Sequence, residues 1–368
     1  MDPDPPPPAA GVSFAVRIPS LIATLAPYPI RQLSRLVGRT LKSPLTDEAS
    51  RNAWAELFNG TLRYINAGVA RGDEAASLGG IKLLHILPHL GLPEPHRHVA
   101  DNARKKHQEP RRARQAFILG ALTRTLAITP EELQVWVLER LGRFEEPEAA
   151  APPPQSEAKQ LAALIQQITR EVSLNEIGKA ARNLPGVTAL REGGAGAVRA
   201  GCNMPLTEAV REKLAAMHPP APDGEPETPA RPQDLEKFRP SSEQVWTSLR
   251  SFARGTGLGP SGMPIHAIRS VAQQVGGVDT PSLSALTDFI GHLLCGELPQ
   301  ELNAIWAWAR LLALTKANGK PRPIAVGEIF RRMGAKCAVA HLTDVLASYL
   351  RPTSGSRAEP ISLRTRSG

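Results

Sequence analysis

Thr315 to Val326 reads TKANGKPRPIAV. Asn318-Gly319 is a strong hairpin signal, because both residues tolerate the positive φ that a two-residue type I′ turn requires. The flanks, RLLALT (310–315) and RPIAV (322–326), read as strands. Pro321 and Pro323 stand two apart, so on a strand their missing N–H groups fall on one edge, which cannot build a ladder. The N–H groups of Arg322 and Ile324 lie on the other edge and can pair with RLLALT. The segment therefore predicts a projecting hairpin with one edge left open. Lys316, Lys320 and Arg322 cluster near its tip, where fixed cations suit phosphate. The plain alternative is a solvated hairpin with ordinary surface lysines.

Outward from this stretch, composition sets the frame. The chain has 368 residues, long enough for two or three domains, with 42% hydrophobic and 21% charged residues. Aromatics are 4% while prolines number 35, which suggests Ala/Leu-rich helices joined by proline-rich connections. A net charge of +9 and a pI near 9.8 favour nucleic acid, or less often an anionic membrane surface, as partner. Cys202, Cys295 and Cys337 are far apart and form no CxxC pair, which argues against a zinc ribbon or a disulfide framework and fits a reducing intracellular compartment. No apolar run is long enough to span a membrane.

Residues 1–48 read as a Pro-rich, then basic leader, largely disordered, with Arg17, Pro19 and Pro27 breaking the apolar run VSFAVRIPSLIATLAP. Pro5 to Thr46 lacks acidic residues, as transit peptides do, but follows an uncharacteristic MDPDPPPP. A helical basic region follows at 49–144. Its first helix, 49–70, sets Trp54, Leu57, Phe58, Leu62 and Ile65 on one face. A second, EAASLGGIKLLHILPHLGL, is predicted to end near Pro88. Thr129-Pro130-Glu131-Glu132 opens a third with an N-cap, a proline at N1 and early carboxylates. Residues 145–157 are a linker, 158–218 a further helical region, and 219–240 a Pro-rich linker. From 241 to 350 the pattern predicts helices at 241–254, 263–275 and 281–295, then the hairpin, then a long helix from Gly327 to Leu350. Residues 351–368 carry no pattern and are expected to be unstructured.

Four clusters invite a chemical reading. GTGLGPSG (255–262) is a candidate phosphate-approaching loop, but no Gly-Lys-Ser/Thr follows, and alone it is most simply a turn before a helix. His85, His89, His96 and His98 resemble metal ligands, yet Pro88 interrupts the first pair and no cysteine or carboxylate set completes them, so surface or partly buried histidines are expected. ARKKHQEPRRAR (103–114) is a nuclear-import signal, a backbone contact for nucleic acid or a solvated helix face. EIFRRMGAKCAVAHL sets Ile329, Phe330, Met333 and Cys337 on a core stripe beside Arg331, Arg332 and Lys336. No catalytic carboxylate pair, Ser/His/Asp set or Cys/His set stands out.

Taken in order, GLGPSGMPIHAIRS and then ARLLALTKANGKPRPIAVGEIFRRMGAKCAV resemble the front part of the reverse transcriptase domain of non-LTR retrotransposons, over residues 218–350. The most specific part is NGKPRPIAVGEIFRR. The resemblance implies a mainly α chain whose helical N-terminal regions precede a partial α+β polymerase fingers subdomain with one β-hairpin. It implies that Lys316 and Arg322 contact a deoxynucleoside triphosphate, with Pro323 and Ile324 holding the strand. Gly259, Pro260 and Gly262 would form a loop near template and primer, and Lys320, Arg331, Arg332 and Lys336 would face nucleic acid. The implied partners are an RNA template, a DNA primer and the triphosphate, with no membrane, and the family's lifestyle points to the nucleus.

One departure is decisive for chemistry. The family holds Mg²⁺ on palm aspartates that include an aromatic-x-Asp-Asp motif. This sequence contains no Asp-Asp, and after LASYLRP it departs from the family pattern. The palm is therefore expected to be missing, no cofactor is expected in this chain, and the chain alone is expected to be inactive as an RNA-directed DNA polymerase. The alternative is a non-catalytic basic RNA/DNA-binding protein derived from a retroelement.

Overall fold

The computed structural model describes residues 13–34, 36, 40–41, 44–94, 110–142, 208–217, 237–253, 255–302, 308–315 and 321–349. Among them the chain is mainly helical, with two small two-stranded antiparallel sheets. The elements in order are α1 (Phe14–Leu25), α2 (Ile30–Leu33), α3 (Glu48–Ala70), α4 (Glu74–Gly91), α5 (Pro110–Ala127), α6 (Pro130–Gly142), α7 (Glu208–Met217), α8 (Ser242–Arg250), α9 (Ile265–Val271), β1 (Gln274–Val275), β2 (Val278–Asp279), α10 (Pro281–Leu294), β3 (Ala309–Thr315), β4 (Pro321–Gly327) and α11 (Ile329–Tyr349).

The described residues of 13–48 are not the loose leader that their prolines suggest. Phe14, Ile18, Leu21 and Leu25 recur at helical spacing along α1 and are all buried, and α1 runs straight through Pro19. An interior proline costs about 3 kcal/mol. Burying an apolar side chain returns roughly 1.5–3 kcal/mol each, so four of them outweigh it. The guanidinium of Arg17 donates to the carbonyl of Leu126, at the end of α5. Lys82, buried on α4, donates its Nζ to the carbonyls of Leu25 and Ala26 and so closes the C-terminus of α1. Burial lowers its pKa, while the charge of Glu301 opposes. Lys82→Met is expected to cost about 1–3 kcal/mol, because the stem still packs but those carbonyls lose their donor. An unchanged melting temperature would contradict this.

α3 forms as its spacing predicts. Asp47 caps it by accepting from the Ser50 N–H at 2.7 Å, and Trp54, Leu57, Phe58, Leu62 and Ile65 are buried. α4 is capped in the same way by Asp73 and does not end at Pro88 but continues to Gly91. Pro88 lies in the last turn, where its missing N–H costs only one bond, and its own carbonyl still accepts from Leu92. Gly79 and Gly80 make room for α4 to approach α1 and α3. A Cβ at Gly80 would lie 2.6 Å from Ile65 Cγ1, and one at Gly79 2.9 Å from Ile22 Cβ.

The expected partition of 49–144 from 241–350 does not describe the packing. One apolar core runs from Phe14 to Cys337. α3 packs on α10 and α9 as well as on α4. Trp54 Nε1 donates to the Ala267 carbonyl at 3.1 Å, and Asn66 Nδ2 donates to that of Ala285 at 2.9 Å. The 263–275 segment divides: α9 stops at Val271, and Gly276 and Gly277, both at positive φ, turn β1 back onto β2. α8 carries a full capping box between Ser241 and Gln244, and α10 begins with Thr280 as N-cap and Pro281. Phe289 of α10 meets Phe330 of α11 edge-on at 5.3 Å, so Phe330 and Met333 are interior. At the near end of the expected 219–240 linker, Lys237 and Arg239 join His292 on Glu297. Burial opposes ionisation there, but hydrogen bonds from His292, Lys237 and Arg239 hold the carboxyl down at about 2. Residues 145–157 and 351–368, and 158–218 apart from α7, lie outside the described residues, as does most of 219–240.

Candidate nucleic-acid interface

β3 and β4 pair antiparallel, with Ala309 opposite Gly327, Leu312 opposite Ile324 and Thr315 opposite Pro321. A two-residue turn at Asn318-Gly319 on an unbroken ladder would set Thr315 opposite Arg322 instead. The observed register is therefore one residue off that reading. Residues 316–320, with Lys316 and Lys320, lie outside the described residues. Since proline cannot donate, the donors from β4 into this ladder are Arg322, Ile324 and Val326. Among the described residues no third strand joins the sheet.

Opposed residues share a face of a hairpin. Arg310, Leu312, Leu314, Arg322, Ile324 and Val326 thus lie on one face. The two arginines are exposed and the aliphatics between them half-buried. Pro323, on the other face, is half-buried beside buried Ala313. At the base of β3, Arg31 lies over Trp308, 5.5 Å from the ring centroid.

The glycine-rich loop and the hairpin, remote in sequence, meet at one joint. Glu328, only 2% exposed, is the residue between β4 and α11. Its Oε2 accepts from the Ser261 N–H at 2.9 Å; its Oε1 accepts from Ser261 Oγ at 2.7 Å and from the Ile329 N–H at 3.0 Å. Ser261 Oγ also accepts from the Met263 N–H. Gly259 sits so close that a Cβ would lie 2.8 Å from both Glu328 Cα and the Gly327 carbonyl oxygen. Gly257 lies alongside Val326 at ordinary contact distance, where a Cβ would be 3.5 Å from Val326 Cγ1. Gly262, at φ +66°, faces His89, and its carbonyl accepts from Thr40 Oγ1 at 2.8 Å. Gly259 and Gly262 are buried, so what they contribute to a surface is the shape of the loop, while Pro260 is half-exposed on it.

The α11 cations divide. Arg331 is exposed. Arg332 donates to the Gly257 carbonyl at 3.0 Å and lies over Phe252. Lys336 donates to Ser251 Oγ at 2.7 Å and lies 4.6 Å from the same ring. These two hold the entry to the loop, and Lys336 remains exposed. Arg269 gathers the carbonyls of Leu249, Arg250 and Phe252 from the other side. Of the basic block, α5 presents Arg114 in an exposed position.

His85 and His89 are neither surface residues nor split by Pro88. They lie on one continuous helix and are 5% and 4% exposed. His85 Nε2 and both ring nitrogens of His89 have no hydrogen-bond partner. Burial lowers the pKa of His85, against the charge of Glu328. Burial, then the charges of His85 and Arg140, push His89 down to about 3, with the Ser261 backbone opposing. His96 and His98 lie outside the described residues. Among the described residues no three His, Cys, Asp or Glu side chains gather as a ligand set, and no helix is long and apolar enough to cross a membrane.

Four participants escaped the sequence reading: Glu328, Ser261, Thr40 and Arg310. The first three act through contacts 67 or 222 residues apart, which no local pattern marks. Arg310 was readable, since strand alternation alone sets it on the face of Arg322. No family model, curated protein or solved structure matches this chain.

Proposed function

We propose that this chain is the helical N-terminal region and fingers part of a reverse transcriptase of the non-LTR retrotransposon kind. In this reading the β3–β4 hairpin and the 255–262 loop grip an RNA template, a DNA primer and a deoxynucleoside triphosphate. The observation that carries the proposal is the joint at Glu328. It joins the Gly-Pro-Ser-Gly loop to the base of the proline-edged basic hairpin, and these are the two segments on which the resemblance rests. Arg322 and Arg310 supply charge on one face of the ribbon, and Lys316 and Lys320 lie in the sequence between the two strands. Fixed cations of this kind stabilise the negative charge that develops on phosphate oxygens during phosphoryl transfer. Pro323 and Ile324 keep the strand that carries Arg322 in place. Mg²⁺ would supply the metal chemistry in a full-length relative. Among the described residues no set gathers that would hold it, and the purified chain is expected to extend no primer.

The test is binding of a labelled RNA/DNA primer–template followed by fluorescence anisotropy across a salt series. Affinity is expected to fall linearly on log–log axes. Arg322→Ala and Arg310→Ala should each reduce the slope by about one. Binding that is flat in salt, or untouched by both substitutions, contradicts the proposal. The second reading, a non-catalytic basic RNA/DNA-binding protein, draws on the exposed Arg114 of α5. It predicts that charge reversal on α5, and not on the hairpin, weakens binding.

A further inference from the structure

We propose that Glu328 is a positioning residue, the latch of a hinge that sets the angle of the hairpin against the helical body and thereby decides whether its cations act on nucleic acid together. This rests on reading the hairpin as the nucleic-acid-gripping element.

Two neighbours divide the work. Gly327 ends β4; a Cβ there would meet nothing within 4 Å, while Gly259 lies close against its carbonyl on the other side. Glu328 follows directly and is buried. Its side chain takes two bonds from Ser261 and one from the first N–H of α11, and its carbonyl accepts from the Arg332 N–H at 3.1 Å. A single residue therefore joins strand, helix and loop. The loop is fixed in turn at its far end by Thr40 on the Gly262 carbonyl. Along its length the hairpin meets α7 on β4 and Gly257 at Val326, but residues 322–327 are exposed or half-buried, unlike the helices around them. At its base the direction of the ribbon is set at 327–328, by three donors converging on one carboxyl group. Bonds to a carboxylate are roughly twice as strong as those between neutral groups. A glutamine has nearly the same shape but turns an NH₂ toward one set of these donors, leaving at least one of them unpaired.

The experiment uses the full chain carrying Glu328→Gln, read first by amide hydrogen exchange without nucleic acid. The amides of Ser261, Ile329 and the β3–β4 ladder are expected to exchange about tenfold faster, the factor that goes with one such bond. Those of α3 and α4 should be unchanged. Primer–template affinity should fall by a similar factor, with a shallower salt slope, because fewer cations engage at once. Ser261→Ala, which removes one donor and no charge, should move the same readouts less. Glu328→Asp should restore part of both. Exchange unchanged in the hairpin, or accelerated equally over the whole chain, overturns the latch. Local loosening with unchanged binding supports the latch and overturns the nucleic-acid reading beneath it.

Discussion

Gly262→Ala is expected to destabilise the protein by about 2–4 kcal/mol. Two costs add. Gly262 has φ +66°, where a side chain loses about 1–2 kcal/mol to its own backbone. The new Cβ would then lie 2.8 Å from His89 Cε1 and 3.1 Å from Nε2, so the buried ring must shift. For a domain of this size the melting temperature should fall by roughly 5–15 °C. Gly276→Ala is the comparison. It has a similar φ of +60° but open space around the position, so only the backbone cost applies. Equal effects at the two positions would show that His89 does not press on the loop.

Acid is expected to open the same joint. His89 and His266 are held down at about 3 and about 4, and His85 is lowered too, in each case chiefly by burial. The facing charges are Glu328 for His85, Arg140 and His85 for His89, and Arg269 for His266. In the unfolded chain these rings take up protons near pH 6.5. Between pH 6.5 and about 3 the unfolded state therefore binds more protons than the folded one, and stability falls as pH falls. The loss is absent above pH 6.5 and reaches on the order of 3–5 kcal/mol for His89 alone once the pH has dropped through its folded value. Urea denaturation at pH 7.5 and pH 5 measures it. The midpoint should drop clearly at pH 5, and His89→Leu should flatten the dependence. A midpoint that is flat over this range would mean that the rings are not held neutral.

How far the fold could be read depended on whether its cause was local. α3 was legible because Trp54, Leu57, Phe58, Leu62 and Ile65 follow one face, and the hairpin because its two prolines leave one pairing edge. α1 was lost to Pro19, since a single proline is a strong local signal and the burial that overrides it involves α3, α4 and α6. Pro88 misled in the same way. Its cost depends on its distance from the helix end, which sequence places poorly. Gly276-Gly277 signals the turn in QVGGVD, but the strand pairing that takes Gln274 and Val275 out of the expected 263–275 helix has no local mark. The candidate surface was half legible. Arg322 is exposed and Pro260 half-exposed while Gly259 and Gly262 are buried, and the reason loop and hairpin meet, a buried carboxylate on Ser261, is a tertiary fact. Phe330 and Met333, on the core stripe that their spacing sets, are interior because α10 and α8 cover them.

The most direct test of the central claim is photo-crosslinking of the full chain to a primer–template carrying thiouridine in the template strand, with the modified peptides mapped. Crosslinks within 309–327 and around Pro260, lost at high salt and diminished by Arg322→Ala, are the predicted result. Crosslinks confined to α5, or none at any salt, would contradict the assignment of the hairpin and loop as the nucleic-acid surface.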